Sequence, residues 1–188
     1  MNDVIQERLT KTEHKMQKSI AALDEDFKTI RAGRANVAVL DKITVDYYGV
    51  PTKIDQMAAV SVPEARLMVI QPWDMSTLSA IQKAILASDL GLNPASDGKV
   101  LRLTFPPLTE ERRKELCKEV AKHAEECKVA IRSVRRDANE KLKANKKAGD
   151  ITEDDLGEGE EKIQKLTDRY VKMVDEHAKE KEKEIMEI

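Results

Sequence analysis

One long amphipathic segment, Thr109–Lys147, most constrains how this chain can fold. Apolar residues recur along it every three or four positions, which is the spacing of one face of an α-helix. At 1.5 Å per residue, a single helix of about 39 residues is about 58 Å long, and one of its faces can be buried in protein. The apolar positions are Leu116, Val120, Ala124, Cys127, Ile131, Val134, Ala138 and Leu142.

A second stripe runs beside the apolar one, and we call it the basic stripe. Its centre lies roughly 110° around the predicted helix, at about 100° per residue. Residues 128–147 contain eight Lys or Arg side chains and only two acids. This pattern is consistent with a solvated helix face or with a surface that binds a polyanion. The basic stripe consists of Lys128, Arg132, Arg135, Arg136, Asn139, Lys143 and Lys146.

The charge of the chain is unevenly distributed. The formal net charge of the 188 residues is −2, so the whole protein is not a general electrostatic binder of nucleic acid. Residues 109–147 carry thirteen basic and eight acidic side chains, net +5, whereas residues 150–188 carry seven and fourteen, net −7. A polyanion-binding face can therefore exist on a mildly acidic protein.

Two further apolar stripes predict two more long helices. The first covers residues 2–30, where a polar residue, Thr12 or Glu13, fills one position of a near-heptad pattern. The other follows a helix stop at Gly149 and starts at Thr152, which forms a capping-box pattern with Asp155. Its stripe is Leu156, Ile163, Leu166, Tyr170, Met173, Val174, His177, Ala178 and Ile185. Three long stripes with no other partner predict a three-helix bundle, and the short connection predicts antiparallel neighbours.

Residues between the first two helices change from helical to strand periodicity. Alternation predicts a strand over Lys42–Tyr48, and Gly49-Val50-Pro51 predicts a turn. Shorter strands are predicted before Pro63 and over Arg66–Ile70 and Lys99–Thr104. Ser76 is predicted to cap a helix over Thr77–Ser88 with Leu78, Ile81, Ile85 and Leu86 turned inward, and Asp97-Gly98 to form a hairpin turn.

The two crossings between the helices and this insert predict a hinge. Glycine permits backbone angles closed to other residues, and proline fixes the direction of the chain. We therefore expect a bundle domain of residues 1–30 and 106–188 and an α/β domain of residues 31–105, hinged at 31–34 and 104–107. A rigid junction is the alternative. The predicted hinge residues are Ala32, Gly33, Thr104, Phe105, Pro106 and Pro107.

The sequence does not indicate an enzyme. The three histidines have no metal-ligand spacing, and the chain lacks a glycine-rich phosphate loop, so we expect no cofactor and no metal. Cys117 and Cys127 lie ten positions apart on one predicted helix, too far for a disulfide, which suits a reducing compartment. No apolar segment resembles a signal or a membrane span, so we expect a cytoplasmic protein.

Several short motifs occur in one order from end to end of the chain. They are Arg31-Ala32-Gly33-Arg34-Ala35, Tyr48-Gly49-Val50-Pro51-Thr52, Gln71-Pro72-Trp73-Asp74, the run from Ala84 to Pro94, the run from Pro106 to Leu116, and Val134-Arg135-Arg136-Asp137-Ala138-Asn139. Each motif alone is weak, but six at this spacing are specific. The chain resembles the bacterial ribosome-recycling factor family over its whole length.

The resemblance implies an L-shaped, tRNA-like α+β protein, with the three-helix bundle as one domain and a small β/α/β sandwich as the other. It implies a monomer that binds the post-termination ribosome and, with elongation factor G and GTP, splits it. Large-subunit ribosomal RNA would be contacted by Arg132 and Arg135, matching the family's principal arginines, and by the hinge-proximal Arg31 and Arg34. The other expected RNA contacts are Lys128, Arg136, Asn139 and Lys143.

A second function from another class remains compatible with periodicity alone. A non-catalytic helical-bundle protein with a small α/β cargo domain would show the same stripes. Co-sedimentation with ribosomes distinguishes the two functions.

Overall fold

The computed structural model describes residues 2–30 and 33–187. In chain order its main elements are α1 (Asp3–Thr29), β1 (Thr44–Tyr47), β2 (Val50–Lys53), β3 (Ala58–Glu64), β4 (Leu67–Pro72), α2 (Leu78–Leu86), β5 (Ala95–Ser96), β6 (Leu101–Thr104), α3 (Glu110–Lys147) and α4 (Glu153–Met186). They form two compact units. The helical unit contains α1, α3 and α4, and the sheet unit is Gly33–Leu108.

The helical unit is the predicted three-helix bundle. Near one end, Ile5 of α1 packs with Leu142 of α3 and Ile163 of α4 in a buried cluster. Further along, Asp24 of α1 meets His177 of α4, with 2.7 Å between Oδ1 and Nδ1. Helix α3 therefore runs antiparallel to both α1 and α4, and buried residues line its apolar face from Leu116 to Leu142.

The connection between α3 and α4 forms as the sequence predicts. The hydroxyl of Thr152 accepts a hydrogen bond from the backbone N–H of Asp155 at 3.1 Å. In return, the carboxylate of Asp155 accepts one from the backbone N–H of Thr152 at 3.0 Å. These bonds lower the pKa of Asp155, with the backbone bond as the larger cause. The capping box is confirmed with Asp in the position where Glu is usual.

The structure confirms one predicted detail of the apolar stripes and corrects others. Thr12 does fill the gap in α1: it is buried, and its hydroxyl donates to the carbonyl of Arg8 at 2.7 Å. On α4, Thr167 is buried and donates to the carbonyl of Ile163 at 2.8 Å, whereas Leu166 is only half-buried. The prediction that Leu166 is a core residue was wrong. Thr167 can take the buried position because its hydroxyl bonds to the backbone of its own helix, which lowers the cost of burying a polar group. Met173 and Val134 are also only half-buried.

The sheet unit contains two antiparallel sheets and α2. One sheet pairs β1 with β2, and the other has the strand order β3-β4-β6-β5. Ile81 and Ile85 on the inner face of α2 join a core with Met68 and Ile70 of β4 and Leu103 of β6, all fully buried. Strand β5 was not predicted, because a two-residue strand leaves no periodic signal.

The predicted turn at Gly49-Val50-Pro51 is displaced. The turn residues are Tyr48 and Gly49, with φ of +50° and +83°, and Val50 already begins β2. Two successive positive φ angles are typical of the tight hairpin turns that match strand twist. Pro63 lies within β3, although the sequence predicted that the strand ends before it. β3 is at the sheet edge, and its register shifts between Ser61 and Glu64. A proline is tolerated at an edge or bulge.

The start of α2 is also corrected. The N-cap position of α2 is Thr77, and its side chain makes no capping hydrogen bond. Asp74 instead caps the short 3₁₀ turn that leads into the helix, because its carboxylate accepts hydrogen bonds from the backbone N–H of Ser76 at 3.0 Å and from its hydroxyl at 2.7 Å. Leu86 is turned outward, with 52% of its surface exposed. It is the last residue of a nine-residue helix, so the core does not extend around it.

The two glycines of α4 give a matched pair for testing the bundle. A Cβ at Gly159 would lie 2.8 Å from Cδ1 of the buried Leu142, whereas one at Gly157 would meet nothing within 4 Å. Gly157→Ala should raise the free energy of unfolding by up to about 1 kcal/mol through helix propensity. Gly159→Ala should lose that gain because Leu142 must move. Urea unfolding followed by circular dichroism measures both, and equal stabilisation would contradict the close approach.

Candidate functional site

The basic stripe of α3 lies along the side of the helix that faces α4. At one end, Nζ of Lys128 is 2.5 Å from Oδ1 of Asp175, and only 19% of the lysine side chain is exposed. This lysine is therefore committed to an ion pair within the bundle. Its ammonium is a weaker candidate for an external contact than the sequence alone indicates.

The two central arginines are more accessible. Arg132 is 41% exposed and contacts Glu125 of the same helix, with 3.5 Å between Nη1 and Oε1. Arg135 donates from Nη1 to Oε1 of Gln164 on α4 at 3.3 Å. Gln164 is itself oriented, because its Nε2 donates to Asp168 at 2.8 Å. Both guanidinium groups thus have a defined position but keep donors free for a phosphate, which they can bind through two parallel bonds.

The far end of the basic stripe again meets acids of α4. Lys143 lies 3.8 Å from Glu160, and Lys146 pairs with Glu153. We call Glu153, Glu160 and Asp175 the acid row. The pairs that Lys143 and Lys146 form with the acid row are largely exposed, and such pairs contribute about 0–1 kcal/mol each to stability. A phosphate group can therefore compete with the acid row at little cost to the fold.

Two members of the basic stripe have other surroundings. Arg136 is exposed and forms no ion pair within the described residues. Asn139 is half-buried, and its Oδ1 is a buried acceptor without a hydrogen-bond partner there. Arg136 is thus the least committed cation of the stripe, and only part of the Asn139 side chain is accessible to an external partner.

The remaining predicted residues lie at the crossings between the units. Arg31 and Ala32 lie outside the described residues. Arg34 is exposed and belongs to the sheet unit. Gly33 has φ +74°, and a Cβ there would lie 3.0 Å from Cγ of Leu108. Glycine is required at this position both by its backbone angle and by this contact.

Two of the predicted hinge positions are held within the sheet unit. Thr104 pairs with Leu67 at the end of β6. Phe105 has a buried ring, and its backbone N–H donates to the carbonyl of Arg66 at 2.8 Å. Contacts within the sheet therefore hold these two residues, and the sheet unit continues through Pro106 and Pro107 to Leu108.

Sequence reasoning missed the acid row and Gln164 as neighbours of the basic stripe. The net charge of −7 in residues 150–188 was the only available signal. The packing of α3 against α4 decides which acids lie opposite which cations, and a single-helix pattern does not contain that information.

Among the described residues, no group of His, Cys, Asp and Glu side chains is placed to hold a metal ion. No helix in residues 2–30 or 33–187 is long and apolar enough to cross a membrane. The thiol of Cys127 is buried, and this burial raises its pKa to about 11, so it is a packing residue rather than a nucleophile.

The family model for ribosome recycling factor matches residues 23–186. The chain belongs to the ribosome recycling factor family. A ribosome-recycling factor of Bacillus cereus (strain B4264) is 58% identical over 183 residues, covering 97% of this chain and 99% of the relative. One of Acetivibrio thermocellus is 59% identical over 176 residues, covering 94% and 96%. The family predicted from the short motifs is confirmed.

Solved structures agree with the fold. A solution structure of the ribosome recycling factor matches with TM-score 0.73 and 39% identity over the full length of both chains. Another structure models the T. thermophilus ribosome recycling factor and the E. coli elongation factor G bound to the E. coli post-termination complex. It matches with TM-score 0.61 and 44% identity over 99% of this chain and 100% of that one. The predicted α+β class, a helical bundle with a small sheet domain, is confirmed.

Proposed function

We propose that this chain binds the post-termination ribosome and, with elongation factor G and GTP, splits it into subunits. The observation that carries the proposal is the family match, which extends over residues 23–186. A member of the family is placed with elongation factor G on the post-termination complex. The chain is a non-catalytic translation factor, and the GTP hydrolysis is supplied by elongation factor G. Action on the ribosome implies a cytoplasmic location, and we propose that the chain acts as a monomer.

Within this function, the basic stripe is the proposed contact with large-subunit ribosomal RNA. Arg132, Arg135 and Arg136 are its main phosphate-binding groups, because they are accessible and only weakly paired. Lys143 would add a contact after exchanging Glu160 for phosphate, and Asn139 would contribute an amide. Lys128 would join only by leaving Asp175. Arg31 and Arg34 are proposed as additional contacts beside the first crossing.

We propose that the chain bends at Gly33 and Arg34 on one crossing and at Pro106 and Pro107 on the other. A protein without its own energy source can still act as a lever if a GTP-driven partner moves one domain while RNA holds the other. The helical unit would hold the RNA, and the sheet unit, Gly33–Leu108, would move. Proline cannot replace Gly33 as a stiffening residue, because its φ is fixed near −65° and the observed φ is +74°.

Light scattering of post-termination ribosomes tests the function directly. The purified chain should accelerate the loss of scattering only when elongation factor G and GTP are both present.

Gly33→Ala strains the left-handed backbone by roughly 1–2 kcal/mol and should slow splitting while ribosome binding persists. The double variant Gly33→Ala with Leu108→Ala separates two effects of the added methyl group. It removes the 3.0 Å contact with the Leu108 side chain but keeps the backbone strain, so comparison with Gly33→Ala alone shows which of the two slows splitting. A wild-type chain that neither binds ribosomes nor splits them would favour the cargo-domain alternative.

A further inference from the structure

A second basic surface lies between α1 and α3, away from the basic stripe. It is a groove of about 400 Å³, and we call it the α1–α3 groove. Its cationic side chains are Arg8, Lys11, Lys15 and Lys18 of α1 and Lys141 of α3, and its one acid is Asp137. With histidine neutral, these side chains give five positive charges and one negative charge, net +4. Lys11 also pairs with Glu7 of α1, so the positive charge of the groove is carried mainly by Arg8, Lys15, Lys18 and Lys141.

The four cations on α1 form a single row. Arg8, Lys11, Lys15 and Lys18 are spaced by three, four and three positions, which keeps them on one face of the helix. At about 1.5 Å per residue the row is roughly 15 Å long. A row of this length presents cations to several phosphates of one nucleic-acid strand, rather than to a single small anion.

The acid of the groove is already neutralised. Asp137 contacts Lys141 at 2.9 Å and Lys15 at 3.3 Å. These two lysines lower the pKa of Asp137, with the bond to Lys141 as the larger cause, so the carboxylate stays charged and paired. Because Lys15 of α1 and Lys141 of α3 share the single negative charge of Asp137, both walls of the groove keep a net positive charge. Lys15 is 51% exposed and Lys141 is 45% exposed, so both are accessible.

The groove and the basic stripe occupy opposite flanks of α3. Asp137 and Lys141 lie roughly 175° around the helix from the centre of the basic stripe, at about 100° per residue. The stripe is flanked by the acid row of α4, whereas the groove is flanked by the cations of α1. An RNA segment that contacts the groove would therefore be a different one from the segment that contacts the basic stripe.

We propose that the α1–α3 groove binds a second segment of RNA through its phosphate backbone. This proposal rests on the proposed ribosome-binding function. Most contacts of Lys and Arg with nucleic acids go to phosphate oxygens, which fix the position of a strand but carry no sequence information. The described lining contains no Phe, Tyr, Trp, Asn or Gln side chain, and its one ring is the imidazole of His14, so we expect the contact to depend on the backbone rather than on the bases. The bundle would then be held between two RNA segments, one on each flank of α3.

Ribosome binding measured over a range of salt concentrations tests the proposal. Each phosphate contact contributes about 0.7–0.9 to the slope of log affinity against log salt. Combining Lys15→Ala with Lys18→Ala should weaken binding and make this slope less steep by about 1.4–1.8. The control combines Lys165→Ala with Lys172→Ala on α4, where the two lysines are 73% and 77% exposed. The control should keep the wild-type slope.

A photo-crosslinking residue, p-benzoylphenylalanine, in place of Lys18 identifies the occupant independently of affinity. An adduct with ribosomal RNA supports the proposal, whereas an adduct with protein, or no adduct, overturns it. Wild-type affinity and slope in the groove variant would also overturn it. If Arg132→Ala weakens ribosome binding and the groove variant does not, the groove proposal is wrong while the proposed function still stands. If the wild-type chain does not bind ribosomes, the proposed function has failed first.

Discussion

Replacing Ile131 by alanine is expected to lower the free energy of unfolding of the helical unit by about 2–5 kcal/mol. Ile131 is fully buried in the middle of α3, the helix that packs against both α1 and α4. Removing three carbons loses the transfer free energy of burial and leaves a cavity, because interiors are close-packed and relax only partly. Urea titration followed by far-ultraviolet circular dichroism measures the change, since most of that signal comes from the bundle.

Val129 provides the control for this substitution. It lies two positions away on the same helix, but 56% of its surface is exposed. Val129→Ala should change the free energy of unfolding by no more than about 0.5 kcal/mol. Similar losses for Ile131→Ala and Val129→Ala would mean that the face of α3 assigned to the core is wrong.

The largest functional effect is expected from Arg132→Ala combined with Arg135→Ala. Each bond to a charged phosphate contributes about 1.5–3 kcal/mol, so affinity for the ribosome should fall by at least about a hundredfold. The slope of log affinity against log salt should become less steep by about one per arginine. Stability should stay within about 0.5 kcal/mol of wild type, because the contacts with Glu125 and Gln164 are exposed.

Arg112→Ala is the matched control on the same helix. Arg112 is 51% exposed and pairs with Glu115 at 2.8 Å, but it does not belong to the basic stripe. This variant should bind ribosomes like wild type. A comparable loss of affinity with Arg112→Ala would show that the overall charge of α3, rather than the stripe, determines binding.

The acid row allows a test of opposite sign at the same interface. Asp175→Asn frees Lys128 from its 2.5 Å ion pair and removes a negative charge beside the stripe. Affinity for the ribosome should then rise, and the salt slope should steepen because one more cation is available to phosphate. Weaker binding would mean that Asp175 positions the interface instead of competing with it.

The sequence was most informative where one local pattern decides the structure. The three long helices followed from their apolar spacing, because amphipathic runs of 27 to 38 residues have no other way to bury one face. The capping box at Thr152 and the hairpin turn at Asp97-Gly98 depend only on residues close in sequence. Asp97 accepts bonds from the backbone N–H groups of Lys99 and Val100, both at 2.9 Å.

Features that depend on packing between elements could not be predicted in the same way. Leu166 fits the apolar spacing of α4 as well as Thr167 does, and only the geometry of the bundle shows which one is buried. The basic stripe was predicted, but its pairing with Asp175 depends on how α4 lies along α3. The lysines of the α1–α3 groove look like a solvated face until α3 adds Lys141 to the other wall.

The close approach of Gly159 to Leu142 also restricts sliding between α3 and α4. A shift of α4 by about one turn, or 5.4 Å, would bring Asp155 or Ile163 opposite Leu142. Either side chain would occupy the space in which a single added carbon already lies 2.8 Å from the leucine. Every ion pair between the basic stripe and the acid row would be misaligned by the same shift. One missing methyl group therefore helps to set the axial register of the two helices, and with it which acid of α4 lies opposite each cation of the basic stripe.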